Sequence, residues 1–312
     1  MRKLKLDALR ADMNSINRLL TNRTELDDPV GYFQFKNRQQ EIQKKIEELK
    51  DAPELKGSVA LFFSGTPVVG SKGVRADFAG KALEIFQEVV SKQFASEEIG
   101  DIHQKGPVPL RTSSDLLITD IARGSVGFVL EEAGQNDTFV QTQLSVVLQH
   151  VGDSISVSTA PDAKAFDNLL ETLDQRQLKA LRSFFEHLDT SNATLRLVEG
   201  DREVILNSDG IRLARERTSA ATIEERDDDQ ITGRLYLLPG HRRFELHVGD
   251  DPAGMSGSVA KEFARDHLQN VQSASDVVGK LWRVRIQIRT IKRPNGQPKI
   301  SYTLKGLIEK MD

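Results

Sequence analysis

The stretch KLWRVRIQIRTIKRPNGQPKISYTLKGLI, residues 280–308, decides the fold of the last part of the chain. At its centre is Asn295-Gly296, a dipeptide that strongly indicates a tight turn between two strands. Before the turn, polar side chains alternate with an apolar set, which is Trp282, Val284, Ile286 and Ile288. Because successive side chains of a strand point to opposite faces, the stretch predicts a β-hairpin with one apolar and one polar face.

The polar face of this hairpin carries an excess of positive charge. Between Lys280 and Lys310 there are nine basic residues and one acidic residue, whereas the whole chain has 43 basic and 46 acidic residues. Arg and Lys on one face can neutralise phosphates and release their counterions. The residues predicted to bind nucleic acid or another anion are Arg283, Arg285, Arg289, Lys292, Arg293, Lys299 and Lys305. Two alternatives stay open: docking on an acidic protein surface, this chain's own included, and a solvated face that only aids solubility.

More strands precede the hairpin. Two runs in which polar and apolar residues alternate flank Pro239-Gly240. Residues 255–271 have the pattern of one short helix. These strand patterns predict a small antiparallel β-barrel-like domain of the OB or SH3-like kind over residues 231–312, since closing the sheet hides its edges. The run EERDDD, residues 224–229, has no apolar anchor, and it predicts an acidic linker over 224–230.

The first 52 residues predict an antiparallel helical hairpin. Apolar residues recur at alternating steps of three and four on both sides of a break that contains Asp28 and Pro29. The two stripes either pack on each other and on the body of the protein, or form an interface between subunits. The predicted interface residues are Leu6, Leu9, Met13, Ile16, Leu20, Ile42, Ile46 and Leu49.

Residues 53–223 predict a mixed α+β body. Paired strands are indicated within 115–132 and within 193–207, and these hairpins outnumber strand–helix–strand crossovers. The long helical stretch from Pro161 to Leu188 should break at Asp174, whose carboxylate can cap the next helix while Gln177 reaches back to it.

The loop from Gly65 to Gly73 resembles a phosphate-binding loop only superficially. A Walker-type loop needs Lys directly after its last Gly and then a hydroxyl residue, but here Ser71 precedes Lys72. Pro67 also removes one backbone N–H that could hold an anion. The six histidines show no metal-ligand spacing, so we predict no metal site, no cofactor and no catalytic residue.

Composition restricts the class of protein. The chain has 312 residues, a net charge of −3 and no Cys, which excludes disulfides, thiolate metal sites and cysteine nucleophiles. It contains no apolar run of the length that spans a membrane, so a cytoplasmic protein of prokaryotic type is expected.

These features favour a non-catalytic binding or assembly subunit of a cytoplasmic complex, with a protein partner or self-association and no membrane. The alternative is an accessory protein that contacts the nucleic-acid phosphate backbone through its C-terminal domain. A third hypothesis is an enzyme whose site is assembled only in three dimensions.

Overall fold

The computed structural model describes residues 1–51, 54–100, 106–122, 126–134, 140–238, 242–249, 254–260, 263–264, 277–293 and 296–311. It confirms a mixed α+β protein with an N-terminal helix pair. The chain divides into two compact units, of which the first is Met1–Ala163 with Ala180–Glu216 and the second is Lys164–Lys179 with Arg217–Asp312. The predicted helical hairpin and most of the predicted body therefore share one unit, and the C-terminal unit also contains a segment from the middle of the chain.

The first unit begins with the helical hairpin of α1 (Arg2–Thr21) and α2 (Pro29–Asp51). The helices are antiparallel, because the Arg2 side chain contacts the carbonyl of Lys50 while Gln39 donates to Asn17. Their apolar stripes pack together around a small core that contains Leu6, Ile16, Ile42 and Ile46. The heptad pattern is thus confirmed as the packing surface between the two helices.

A five-stranded antiparallel sheet forms the centre of the first unit, in the order β4-β5-β1-β6-β7. Strand β1 (Ser58–Gly65) lies in the middle, and its first six residues are all buried, which explains its continuous apolar run. The other elements are β4 (Leu116–Ala122), β5 (Gly127–Glu132), β6 (Ala193–Glu199), β7 (Arg202–Leu206), α3 (Ala76–Ile99), α4 (Gln143–Thr159) and the short 3-10 helix Arg111–Ser114.

The glycine-rich loop after β1 is a small β-hairpin of β2 (Val68–Val69) and β3 (Gly73–Val74). The N–H of Lys72 bonds to the carbonyl of Val69 inside this turn, so it is not available to an anion. Gly65 has φ +94°, and a Cβ there would lie 2.2 Å from the Asn192 carbonyl oxygen. The loop is therefore a connection in which glycine permits a close backbone approach.

The predicted helix break at Asp174 is confirmed. Helix α5 (Ala163–Thr172) ends just before it, and α6 (Gln175–Thr190) begins just after it. The Asp174 carboxylate accepts from the Gln177 N–H at 2.7 Å, and the Gln177 side chain accepts from the Asp174 N–H at 2.7 Å. This capping box satisfies two backbone N–H groups at the start of α6. A further helix, α7 (Ser208–Ala220), precedes the C-terminal strands.

The second unit contains a five-stranded sheet of β8 (Thr222–Leu238), β9 (Arg243–His247), β10 (Met255–Val259), β11 (Lys280–Lys292) and β12 (Lys299–Lys310). Strand β10 pairs with β9 and also with β12, so the order β10-β12-β11-β8-β9 closes on itself. The β10–β12 pair is parallel and the others are antiparallel. Inside lies an apolar core with Leu235, Phe244, Val284 and Leu304. Whether the sheet is of the OB or SH3-like kind stays a prediction.

Two sequence predictions for this unit are wrong. Residues 224–230 are not a linker but the first half of β8, which pairs with β11 along its length. The acidic run can form a strand because β11, which pairs with it, supplies Arg289 and Lys292 as ionic partners. The predicted helix over 255–271 begins with strand β10 instead, and most of the remainder lies outside the described residues. Across the described ranges, no helix has the length and apolar character needed to span a bilayer.

Candidate functional site

The alternation predicted for β11 is confirmed, but its cations already have partners. Val284 and Ile286 are fully buried in the core, and Trp282 and Ile288 pack against it. At the end of the strand, Lys292 pairs with Glu224 at 2.6 Å. The sequence could not reveal this pair, because it joins residues from two separate strands.

Arg289 has a structural contact set at the end of α5. Its guanidinium donates to the carbonyls of Leu170, Glu171 and Leu173, which the helix end leaves without helical partners. It also lies 3.6 Å from the Glu225 carboxylate, which is 11% exposed. With a side chain only 21% exposed, Arg289 is a helix-capping cation rather than part of a solvated positive surface.

The other predicted anion-binding residues are also engaged or partly buried. Arg283 pairs with Glu309, and Arg293 and Lys299 both contact Glu171. Burial lowers the pKa of Lys305, and Arg285, although exposed, has a contact of its own. The hairpin therefore does not present the unneutralised positive face that the sequence suggested, and its role in anion binding stays a prediction.

A different surface of the same unit is open to solvent. The outward side chains of β8, β9 and β10 form what we call the strand face, namely Arg234, Tyr236, Leu238, Arg243, Glu245, His247, Ser256 and Ser258. Their neighbours along each strand, such as Leu235, Leu237 and Phe244, are buried in the core. The alternation fixes the face, because residues paired directly across strands point the same way.

The strand face combines aromatic rings with unpaired positive charge. The Tyr236 and His247 rings meet edge to face, with centroids 5.4 Å apart. Arg243 is exposed, and no carboxylate among the described residues pairs with it, while Arg234 donates to the carbonyl of Gly279. Glu245, the one carboxylate of this face, lies 4.0 Å from His247.

Sequence reasoning missed the strand face although the signal was present. The segment GRLYLLPGHRRFELHV, residues 233–248, alternates in the same way as β11. Its charges are fewer, so a search for basic clusters passes over it. The closeness of Tyr236 and His247 depends on the β8–β9 register, which places Arg234 opposite His247.

The residues predicted as a subunit interface are mostly used inside the hairpin. The four core residues are at most 8% exposed, and Leu9, Met13, Leu20 and Leu49 pack against them. The hairpin tip instead exposes a second apolar set, which is Leu19, Leu26, Val30 and Phe33. Leu26 is 95% exposed, so the accessible apolar surface of the hairpin lies at the turn rather than along the stripe.

A polar cleft of about 170 Å³ in the first unit contains Glu199, a carboxyl group with a raised pKa. Its lining includes Arg2, Glu54, Ser58, Gln149 and Glu199. Glu199 is 6% exposed at the end of β6, and burial raises its pKa to about 7, with smaller contributions from the nearby Glu54 and Asp153. Such a carboxyl can exchange a proton at neutral pH, but no histidine lines this cleft among the described residues.

Nothing in the described ranges forms a metal-binding group of three or more His, Asp or Glu residues. His150 pairs with Glu97, and His187 bonds to the Phe78 carbonyl while its ring stacks on that residue. These two side chains therefore have structural contacts. His103, His241 and His267 lie outside the described residues.

Comparisons of the chain with models of protein families, with curated proteins and with solved structures gave no match.

Proposed function

We propose that the C-terminal unit is an OB-type module that binds single-stranded nucleic acid across the strand face. In this proposal the protein is a non-catalytic binding factor. The chain contains no Cys, which fits a reducing compartment, so we place this function in the cytoplasm.

The order of the strands supports the assignment to the OB kind. Strands β8, β9 and β10 pair with one another in chain order. Strand β10 then pairs with β12, in parallel, and β12 pairs with β11, which returns to β8 and closes the cycle. In OB modules the second and third strands and the adjacent loops bind oligonucleotides or oligosaccharides. The corresponding strands here are β9 and β10, which carry five of the eight residues of the strand face.

The single observation that carries the proposal is the Tyr236–His247 pair on the same solvent-facing surface as Arg243, with which no carboxylate of the described part of the chain pairs. Single-strand binders combine aromatic platforms, on which bases stack, with cations that follow the backbone. The hydroxyl of the exposed Ser256 can donate to a phosphate oxygen. Few base-edge contacts are available on such a face, so we expect weak sequence preference.

The test is fluorescence anisotropy of a labelled oligothymidine of about 16 nucleotides, the upper size that one such module covers. Tyr236→Ala should weaken binding about 5- to 100-fold, because it removes a stacking platform, and Tyr236→Phe should retain most of the affinity. Arg243→Ala should weaken binding and lower the slope of log affinity against log salt by about 0.7.

Arg283→Ala is the matched control, because it removes the same charge from a residue that is already paired with Glu309. It should change affinity far less than Arg243→Ala. Equal effects of the two Arg variants, or no binding at low salt, would exclude the strand face as the binding surface.

A second candidate function is self-assembly through the helical hairpin. The exposed apolar set at its tip, including Leu26 and Phe33, supports it. A second copy of the chain would present the same patch, as a two-fold contact requires. Replacing Leu26 and Phe33 together by Ser should reduce the mass measured by sedimentation if the tip joins two copies. A monomeric wild-type chain would refute this candidate.

A further inference from the structure

Helix α5 places two carboxylates against the end of the β11–β12 hairpin. Its apolar side is anchored by Phe166 and Leu170, which are 2% and 0% exposed. Asp167 and Glu171, four residues apart, lie on the same side of the helix as each other and are both more than one-third exposed. The helix is therefore held by its apolar residues, and its two acidic residues are free to serve another purpose.

The carboxylates meet the two cations that flank the β11–β12 connection. Arg293 donates to Glu171 at 2.8 Å, and its second terminal nitrogen lies 3.8 Å from Asp167. Lys299 lies 2.7 Å from the same oxygen of Glu171. The hydrogen bond from Lys299 lowers the pKa of Glu171, and Arg293 adds to this effect, so the carboxylate stays ionised at neutral pH.

A phosphate group could take the place of the Glu171 carboxylate between Arg293 and Lys299. An Arg fork and a Lys ammonium that converge on one anionic oxygen can bind a phosphate in the same way. The connection between the fourth and fifth strands is, in OB modules, one of the loops that contact the ligand. Because Lys299 and Glu171 are half-exposed, their attraction is screened by solvent, and it holds neither the helix nor the strand in place.

We infer that Asp167 and Glu171 form an intramolecular charge mask over Arg293 and Lys299, which weakens the hold of the C-terminal unit on nucleic-acid phosphates. The inference rests on the proposed function and concerns its regulation. The mask keeps the ligand on the strand face and limits non-specific binding. Any change that neutralises the two carboxylates extends the binding surface to the β11–β12 connection.

The test measures the affinity of the intact chain for the same labelled oligothymidine. It compares the wild type with a double variant that carries Asp167→Asn and Glu171→Gln. The variant should bind about 3- to 20-fold more tightly at low salt, because Lys299, which is 48% exposed, and Arg293, which is 20% exposed, lose their carboxylate partners and can pair with phosphates. Its log affinity should fall more steeply with log salt, by about 1.4 in slope for two further phosphate contacts. Adding Arg293→Ala should remove about half of the gain.

Glu309→Gln is the matched control, since it removes one carboxylate from the opposite end of the same hairpin. Glu171→Gln alone serves if the double variant does not fold. Unchanged affinity in the mask variants, while Arg243→Ala still weakens binding, would overturn the mask and leave the proposed function intact. A gain of the same size in Glu309→Gln would also overturn it. No binding by any variant at low salt would overturn both.

Discussion

Replacing Glu199 by Gln should measure the free energy of burying one ionisable carboxyl at the end of β6. In the folded chain the pKa of Glu199 is about 7, whereas the ordinary value is 4.5. Between these two values the folded state holds a proton that the unfolded state releases, so stability falls as the pH rises. Below 4.5 both states are protonated, and above about 7 both are ionised.

The size of the effect follows from the gap between the two pKa values. Each pH unit of difference corresponds to about 1.4 kcal/mol, so the buried carboxyl costs about 3 kcal/mol above pH 7. The Gln side chain has nearly the same shape and does not ionise. The free energy of unfolding of the variant should equal that of the wild type at about pH 4.5 and exceed it by about 3 kcal/mol at about pH 8.

Urea unfolding followed by circular dichroism at several pH values from about 4.5 to 8 gives the free energy of unfolding of both chains. The single Trp282 lies in the other unit, so tryptophan fluorescence would not follow the unfolding of β6. Glu98→Gln, the same change at an exposed position of α3, is the matched control. A constant difference between Glu199→Gln and the wild type would refute the reasoning.

Other substitutions test the structural contacts. Arg289→Ala should destabilise the second unit by about 2–3 kcal/mol in chemical denaturation, because three helix-end carbonyls and a buried carboxylate lose a charged donor, whereas Arg283→Ala should cost under about 1 kcal/mol. Gly65→Ala should cost about 2 kcal/mol or more in thermal unfolding, since its φ is positive and a carbonyl occupies the Cβ position, and Gly70→Ala should cost less because its surroundings are open. Ile42→Ala should cost about 2–5 kcal/mol by the same measurement, because it leaves a cavity in the core of the helical hairpin.

Local patterns predicted much of the fold. The capping box of Asp174 and Gln177 spans only four residues of sequence, and one repeat of the heptad stripes spans about seven. The inward set on β11 follows from alternation alone. Each of these features depends on neighbours in the sequence, which is why the residues themselves could indicate it.

The errors have the opposite origin. The run at 224–229 was interpreted as a linker because its charge was counted without the strand that neutralises it. The sequence predicts an anion-binding face on the β11–β12 hairpin and leaves docking on the chain's own acidic residues open, but it does not indicate Glu171 as a partner, because Glu171 is more than one hundred residues away in the chain. Glu199 gave no signal at all, since its pKa depends on burial, and that depends on the packing of the sheet.

The second unit is discontinuous in sequence, because residues 164–179 return to it from the middle of the chain. An expression fragment that begins at Arg217 would therefore omit the helix end that Arg289 caps and the carboxylate that holds Arg293 and Lys299. Such a fragment would leave Arg293 and Lys299 without their helix carboxylates, and it would expose the apolar surface that Phe166 and Leu170 cover. It would adhere to polyanions and to itself for reasons unrelated to the native chain, so truncation is a misleading way to assay this protein.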